Sequence, residues 1–187
     1  MQQSKFLLNR QKIFNPLEIH AAIASHFRHL PEGKSRSFFY RLEWYKIGVV
    51  VPMLVYSEHA PEMKLMPECQ LLETTRLEDL PTDRDEIDFA IFAVPGPELD
   101  LEGEIDEIAL TGWLQKQLKG AASLSQTSFG PNNCIYYQQD TEELHVQTVT
   151  IKGSLKVKDR SRLEKLRRQP LGACVELGCG LLHLAAS

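Results

Sequence analysis

Six histidines are the groups in this chain able to carry a proton near neutral pH. One of them, His20 in "NPLEIHAAI", sits where a helix presents it at a chosen angle. Asn15 is a good N-cap, and Pro16 falls at the first helical position, where a missing N–H costs nothing. Glu18 completes a capping-box spacing, and Phe14 and Ile19 occupy the two staple positions. Ile19, Ile23, Phe27 and Leu30 then recur at helical spacing. At roughly 100° per residue, His20 lies about 100° from Ile19, at the margin of the apolar face, and His26 lies at about −20°, inside it. His20 can therefore be held by packing and still meet a ligand. His26 is expected in the core. His29, His59, His145 and His183 have no comparable placement and read as ordinary surface or strand residues.

Other chemistries find less support. The four cysteines, at 69, 134, 174 and 179, form no C-x-x-C pair, and no histidine stands at zinc-finger spacing, so reduced thiols and no metal site are expected. The glycines of "LGACVELGCGLLHLA" (Gly172, Gly178, Gly180) follow a helix and precede a strand. A dinucleotide fingerprint needs the reverse order, and no G-x-x-x-x-G-K-[ST] occurs. No cofactor is expected. The glycines either bring the backbone close to a ligand or supply positive φ in a turn.

Net charge is −4, which argues against an indiscriminate nucleic-acid binder, but the charge is unevenly spread. Residues 1–56 carry a balance of +5, residues 57–143 of −14 and residues 144–187 of +5. Two basic ends flank an acidic middle and would form one basic face if the fold brought them together. No apolar run reaches the ~20 residues that span a bilayer. The start lacks a long apolar signal region, so the expectation is a cytoplasmic protein with no membrane association.

The elements needed to position His20 repeat twice. "SKFLLNR" reads as a strand, then the histidine helix, then "SFFYRLEW" and "GVVVPMLVYS" as strands around Lys46–Gly48, and "ECQLLETTRL" as a fourth strand. After the turn-rich "LPTDRD", "EIDFAIFAV" reads as a strand and "DEIALTGWLQKQLKGAASL" as a helix. "NCIYYQQ" and "LHVQTVTIKGSLKVK" follow as strands, "DRSRLEKLRRQ" as a basic helix and "CGLLHLA" as a last strand. The expected class is α+β: tandem ferredoxin-like (RRM-like) βαββαβ domains over residues 1–80 and 86–187.

"VQTVTIKGSLKV", a helix, and "LGACVELGCGLLHLA" resemble the C-terminus of the CRISPR-associated endoribonucleases of the CasE type. "NPLEIHAAI" is similar to that family's N-P-x-E-x-H helix, "FFYRLEW" to its second strand and "GWLQKQL" to its W-L-x-x-x-L helix. The resemblance covers most of the chain, strongly in the first and last 45 residues and weakly from Tyr56 to Ile105. It implies tandem ferredoxin-like domains and metal-independent cleavage of CRISPR precursor RNA within the repeat hairpin. It also implies that the enzyme stays on its product beside other effector subunits, with His20 matching the catalytic histidine. A 2′-OH would attack the adjacent phosphorus, giving a 2′,3′-cyclic phosphate and a 5′-hydroxyl.

On that resemblance, the basic ends supply RNA binding. Lys152, Lys156 and Lys158 fall at even positions of one strand and share a face. Arg160, Arg162, Lys165, Arg167 and Arg168 follow on the helix, and Gly172, Gly178 and Gly180 form the loop. Lys34, Arg36 and Arg41 are candidates for a cation beside the scissile phosphate. Three positions depart from the family pattern. Leu17 stands where some members have Tyr, and Val175 (followed by Glu176) where many have Lys. "FAVP", followed by acidic residues, stands where many have R-x-N-P. These departures leave open a non-catalytic RNA-binding assembly subunit of the same fold. The acidic middle leaves open a ferredoxin-like protein unrelated to RNA.

Overall fold

The computed structural model describes residues 1–27, 38–42, 48–95, 106–131 and 133–185. The chain divides into two compact units. The first comprises Met1–Leu77 with Tyr136–Leu144 and Glu176–Gly178; the second comprises Glu78–Ile135, His145–Val175 and Cys179–Ser187. The units part first at Leu77, and two later stretches of chain also join the first unit. Local sequence patterns give no sign of that exchange.

The first unit holds β1 (Gln2–Asn9), α1 (Pro16–Ala24), β2 (Phe38–Leu42), β3 (Val50–Ser57) and β4 (Cys69–Arg76). Its sheet runs β2-β3-β1-β4 with every neighbouring pair antiparallel, the ferredoxin-like order. Ile19 and Ile23 of α1 pack into a core with Phe6, Leu8, Tyr40, Met53, Val55 and Leu71. Asn15 caps α1 by accepting from Leu17 N–H at 3.2 Å. Phe14 is 70% exposed and does not act as a staple over Ile19.

The helix stops at Ala24, earlier than the apolar spacing to Leu30 implies. Ser25 Oγ donates to Ala22 O, and the N–H groups of His26 and Phe27 reach back only three residues, to Ile23 and Ala24. That tightening turns His26 into the protein. The ring is fully buried, with Nδ1 2.9 Å from Glu62 O and Nε2 3.1 Å from Cys69 O, and it meets Phe6 edge-on. His26 thus ties the end of α1 to the stretch leading into β4. Residues 58–68 contain Pro61 and Pro67 and form no helix. Burial pushes the Cys69 thiol up to about 12, with the Glu68 carboxylate adding to the shift, so this thiol stays protonated and unreactive.

The rest of the chain holds β5 (Glu86–Ala93), α2 (Glu107–Gln117), β6 (Ala122–Phe129), β7 (Asn133–Gln139), β8 (Glu142–Val157), α3 (Arg160–Leu166) and β9 (His183–Ala185), all in the second unit except Tyr136–Leu144, the end of β7 and the start of β8. Its sheet runs β6-β8-β5-β9, with β7 added on β8. Here the structure corrects the sequence reading. The helix expected to continue into "KGAASL" ends at Gln117, and Lys119 and Gly120 take left-handed φ of 48° and 75°. Gly120 is a helix stop of the usual kind, and it releases 122–129 as the second strand of the motif. "NCIYYQQ", read as that strand, is the extra one.

The basic helix α3 is turned toward its own unit. Arg160 donates to Pro81 O and to Arg84 O, and Arg167 donates to Glu78 O. Arg167 also pairs with Glu164 at 2.9 Å, and Glu164 in turn accepts the N–H of Leu80. Arg168 reaches Asp79 at 3.4 Å and Glu164 at 3.6 Å. With Arg167 only 4% exposed, this network pins the acidic stretch 78–84 to α3.

Two stability outcomes follow. Arg167→Ala leaves Glu164 short of its buried partner and should cost about 3 kcal/mol in urea unfolding. His26→Ala opens a cavity and removes the ring's hydrogen bonding to the 62–69 stretch, costing about 2–4 kcal/mol in the same assay. Substitution of exposed Lys165 by Ala should leave the midpoint unchanged.

Candidate functional site

His20 lies one turn into α1, on the side of the helix that turns toward β2. Its ring stacks on Phe38, with centroids 4.9 Å apart and planes at 28°, and tilts against Tyr40 at 6.0 Å. Phe38 stacks in turn on Phe27, centroids 5.1 Å apart at 7°. Strand alternation puts Phe38, Tyr40 and Leu42 on the core face beneath α1. The imidazole is half-buried, as the helical wheel implied, and its plane is set by aromatic neighbours. The sequence reading passed over Phe38 and Tyr40. Their period-two spacing in "FFYRL", facing a helix with Ile19 and Ile23, was the available signal.

The glycine stretch divides between the units. Residues 176–178 belong to the first, where Tyr40 donates its hydroxyl to Glu176 O at 2.8 Å. Gly178 has φ +81°, and a Cβ there would stand 2.8 Å from Tyr40 Cε2. Gly172 and Gly180 belong to the second unit. The N–H of Gly180 donates to Phe92 O at 2.7 Å, and a Cβ on it would lie 2.6 Å from Leu171 O. That donor is committed within the fold. Gly172 is exposed, with φ +83° and Val94 O 2.6 Å from where its Cβ would stand. Val175 is buried in a short 3-10 turn, Val175–Leu177. The loop thus carries no cationic side chain.

The cations sort by burial. Lys34 and Arg36 lie outside the described residues. Arg41 is buried and shares its face of β2 with Phe39, opposite the face that meets His20. The structure does not bring it to the histidine. Lys152 and Lys156 are exposed on one face of β8, with Lys158 just past its end. Glu86 of β5 stands directly opposite Lys156 in the register, and Asp88 opposite Ser154. Hydrogen bonds from Ser125 and Ser154, aided by Lys156, hold the Glu86 carboxyl below the usual carboxylate range. This face therefore mixes charge rather than forming a basic strip. On α3, Arg160, Arg167 and Arg168 hold the 78–84 stretch, whereas Arg162 and Lys165 point to solvent. Arg162 pairs with Asp159 at 3.1 Å in an exposed contact. Among the described residues there is no cluster of His, Cys, Asp or Glu able to hold a metal. Nor is any described helix long and apolar enough to cross a membrane.

The geometry can be set beside known proteins. The chain matches the family model described as CRISPR associated protein over residues 2–186. The CRISPR system Cascade subunit CasE of Escherichia coli (strain K12) is 33% identical over 81 residues, which are 43% of this chain and 41% of that protein. The matched stretch thus spans about two fifths of that relative's length. The crystal structure of the CRISPR-associated protein Cas6e from Escherichia coli str. K-12 superposes with a TM-score of 0.78 at 24% identity, covering 99% of both chains. Thermus thermophilus Cse3, bound to an RNA representing a pre-cleavage complex, gives 0.80 at 22% identity over 100% of both. At these identities the structural likeness establishes the tandem ferredoxin-like fold. With the family model spanning nearly every residue, this chain belongs to the CRISPR-associated protein family.

Proposed function

We propose that this chain is a metal-independent endoribonuclease that cuts CRISPR precursor RNA within the repeat hairpin and remains on the product as a subunit of an effector complex. The observation that carries this reading is His20: a half-buried imidazole near the start of a capped helix, with its ring plane fixed by Phe38 and Tyr40. Support also comes from the relatives, one described as a Cascade subunit and another as bound to a pre-cleavage RNA.

In the proposed reaction, the ribose 2′-OH attacks the neighbouring phosphorus and the 5′-oxygen leaves. His20 serves one of the two proton transfers, accepting from the 2′-OH or donating to the 5′-oxygen. A ring held in plane on aromatic neighbours avoids reorganisation at the moment of transfer. Lys34 and Arg36 are the cations proposed for the charge that builds on the non-bridging phosphate oxygens. RNA backbone contact falls to Arg162, Lys165, Lys152, Lys156 and Lys158, all exposed to solvent. An A-form hairpin is read mainly through shape and its phosphates, which suits such contacts.

A second reading is a non-catalytic RNA-binding subunit. It is favoured by Leu17 and by Val175, whose buried side chain offers no charge to a phosphate. Incubating the protein in EDTA with a transcript of its own genome's CRISPR repeat separates the two. The enzyme reading expects a single cut leaving a cyclic phosphate, and intact RNA that is nevertheless bound supports the second reading.

His20→Ala should slow the cut at least about 100-fold while leaving Kd within about twofold. Cutting at the wild-type rate would remove His20 from the mechanism. Arg162→Glu with Lys165→Glu should weaken hairpin binding and reduce the slope of log Kd against log salt by about one for each phosphate no longer neutralised. An unchanged slope would place the RNA on another surface.

A further inference from the structure

Tyr40 is fully buried, yet it touches three things that local sequence keeps far apart. Its ring tilts against His20 at 6.0 Å. Its hydroxyl donates to the backbone carbonyl of Glu176 at 2.8 Å, a separation of 136 residues in the chain. Its edge fills the space where a side chain on Gly178 would stand, 2.8 Å from Cε2. All three partners belong to the first unit. The hydrogen bond fixes the ring's rotation, and the missing Cβ at Gly178 lets the ring lie where it does. The same ring then bounds the room left to the imidazole, beside Phe38, whose centroid lies 6.5 Å from that of Tyr40.

From these contacts we propose that Tyr40 is a positioning residue for His20, and that the turn at 176–178 sets the histidine through it. The proposal rests on the reading of His20 as the proton carrier. It gives Gly178 a task different from phosphate binding: the glycine is needed so that Tyr40 can reach its place. Val175, beside the turn but buried and uncharged, needs no contact with RNA under this account. Neither Tyr40 nor residues 176–178 need touch substrate. Their effect falls on the rate of the chemical step and not on affinity.

The test uses the full-length protein and the CRISPR repeat transcript of its own genome. Single-turnover cleavage at saturating protein reports the chemical step, filter binding reports Kd, and thermal melting reports folding. Tyr40→Phe keeps the ring and removes only the hydroxyl. It should lower the saturated rate about tenfold or more, because small misplacements of a catalytic group cost rates of that order, with Kd within about twofold. Gly178→Ala leaves the hydroxyl and pushes on the ring from the other side, so it should give the same split between rate and affinity. It also serves as the second variant if Tyr40→Phe does not fold. A folded variant of either kind that cuts at the wild-type saturated rate overturns the proposal. So does a Gly178→Ala that weakens binding while leaving the saturated rate intact, since that is the pattern of a phosphate contact. Failure of the underlying reading shows separately, as undiminished cutting by His20→Ala.

Discussion

The apolar face of α1 lies on a four-stranded antiparallel sheet, and the placement of the candidate catalytic group follows from that contact. Ile19 and Ile23 bury against Phe6, Tyr40 and Met53, each close to fully removed from water. Burial of this kind contributes about 1.5–3 kcal/mol per large side chain, far more than a surface contact could. It fixes the rotation of the helix about its axis. His20, next to Ile19 and at the margin of the buried face, then has one place to go, against the rings of Phe38 and Tyr40. A helix rotated by one residue would expose Ile19 or bury His20 outright.

The basic residues illustrate a different constraint. A run of arginines and lysines late in the chain reads as a nucleic-acid surface on composition alone. Three of those arginines instead donate to backbone carbonyls or carboxylates of the 78–84 stretch. A guanidinium carries five N–H donors in a plane, which suits it to gather several acceptors from a loop with no regular hydrogen bonding of its own. The excess of acid around residue 80 is therefore partly answered by the excess of base around residue 165. What remains for a polyanion is a smaller set on α3 and on the outer face of β8, where Glu86 and Asp88 of β5 dilute it.

The two sheets share one strand order, β2-β3-β1-β4 in the first and β6-β8-β5-β9 in the second. In the first unit that order is legible from strand alternation and the start signals of α1; in the second the sequence puts "NCIYYQQ" where the structure has β6. The remaining differences fall at helix ends. The sequence extends α2 past Gln117 because the alanines of "AAS" favour helix, whereas the left-handed residues at 119 and 120 act through backbone geometry. It extends α1 past Ala24 because Phe27 and Leu30 keep the helical spacing, while the buried bonds of His26 to Glu62 O and Cys69 O favour an earlier stop. Those acceptors lie 36 and 43 residues away, beyond any local pattern.

By itself the sequence determined the class of fold, the capped helix at Pro16, the marginal position of His20 and the core position of His26. All of these rest on periodicity and capping, which operate within a few residues. Only the tertiary structure decided which cations face water, that Arg41 sits on the face of β2 away from His20, and that the three glycines of one short stretch serve different packings. It alone brought Tyr40 to Glu176 and Gly178. Such pairings come from the closing of a sheet and the return of the chain across it. The residues at either end carry no mark of the partner they will meet.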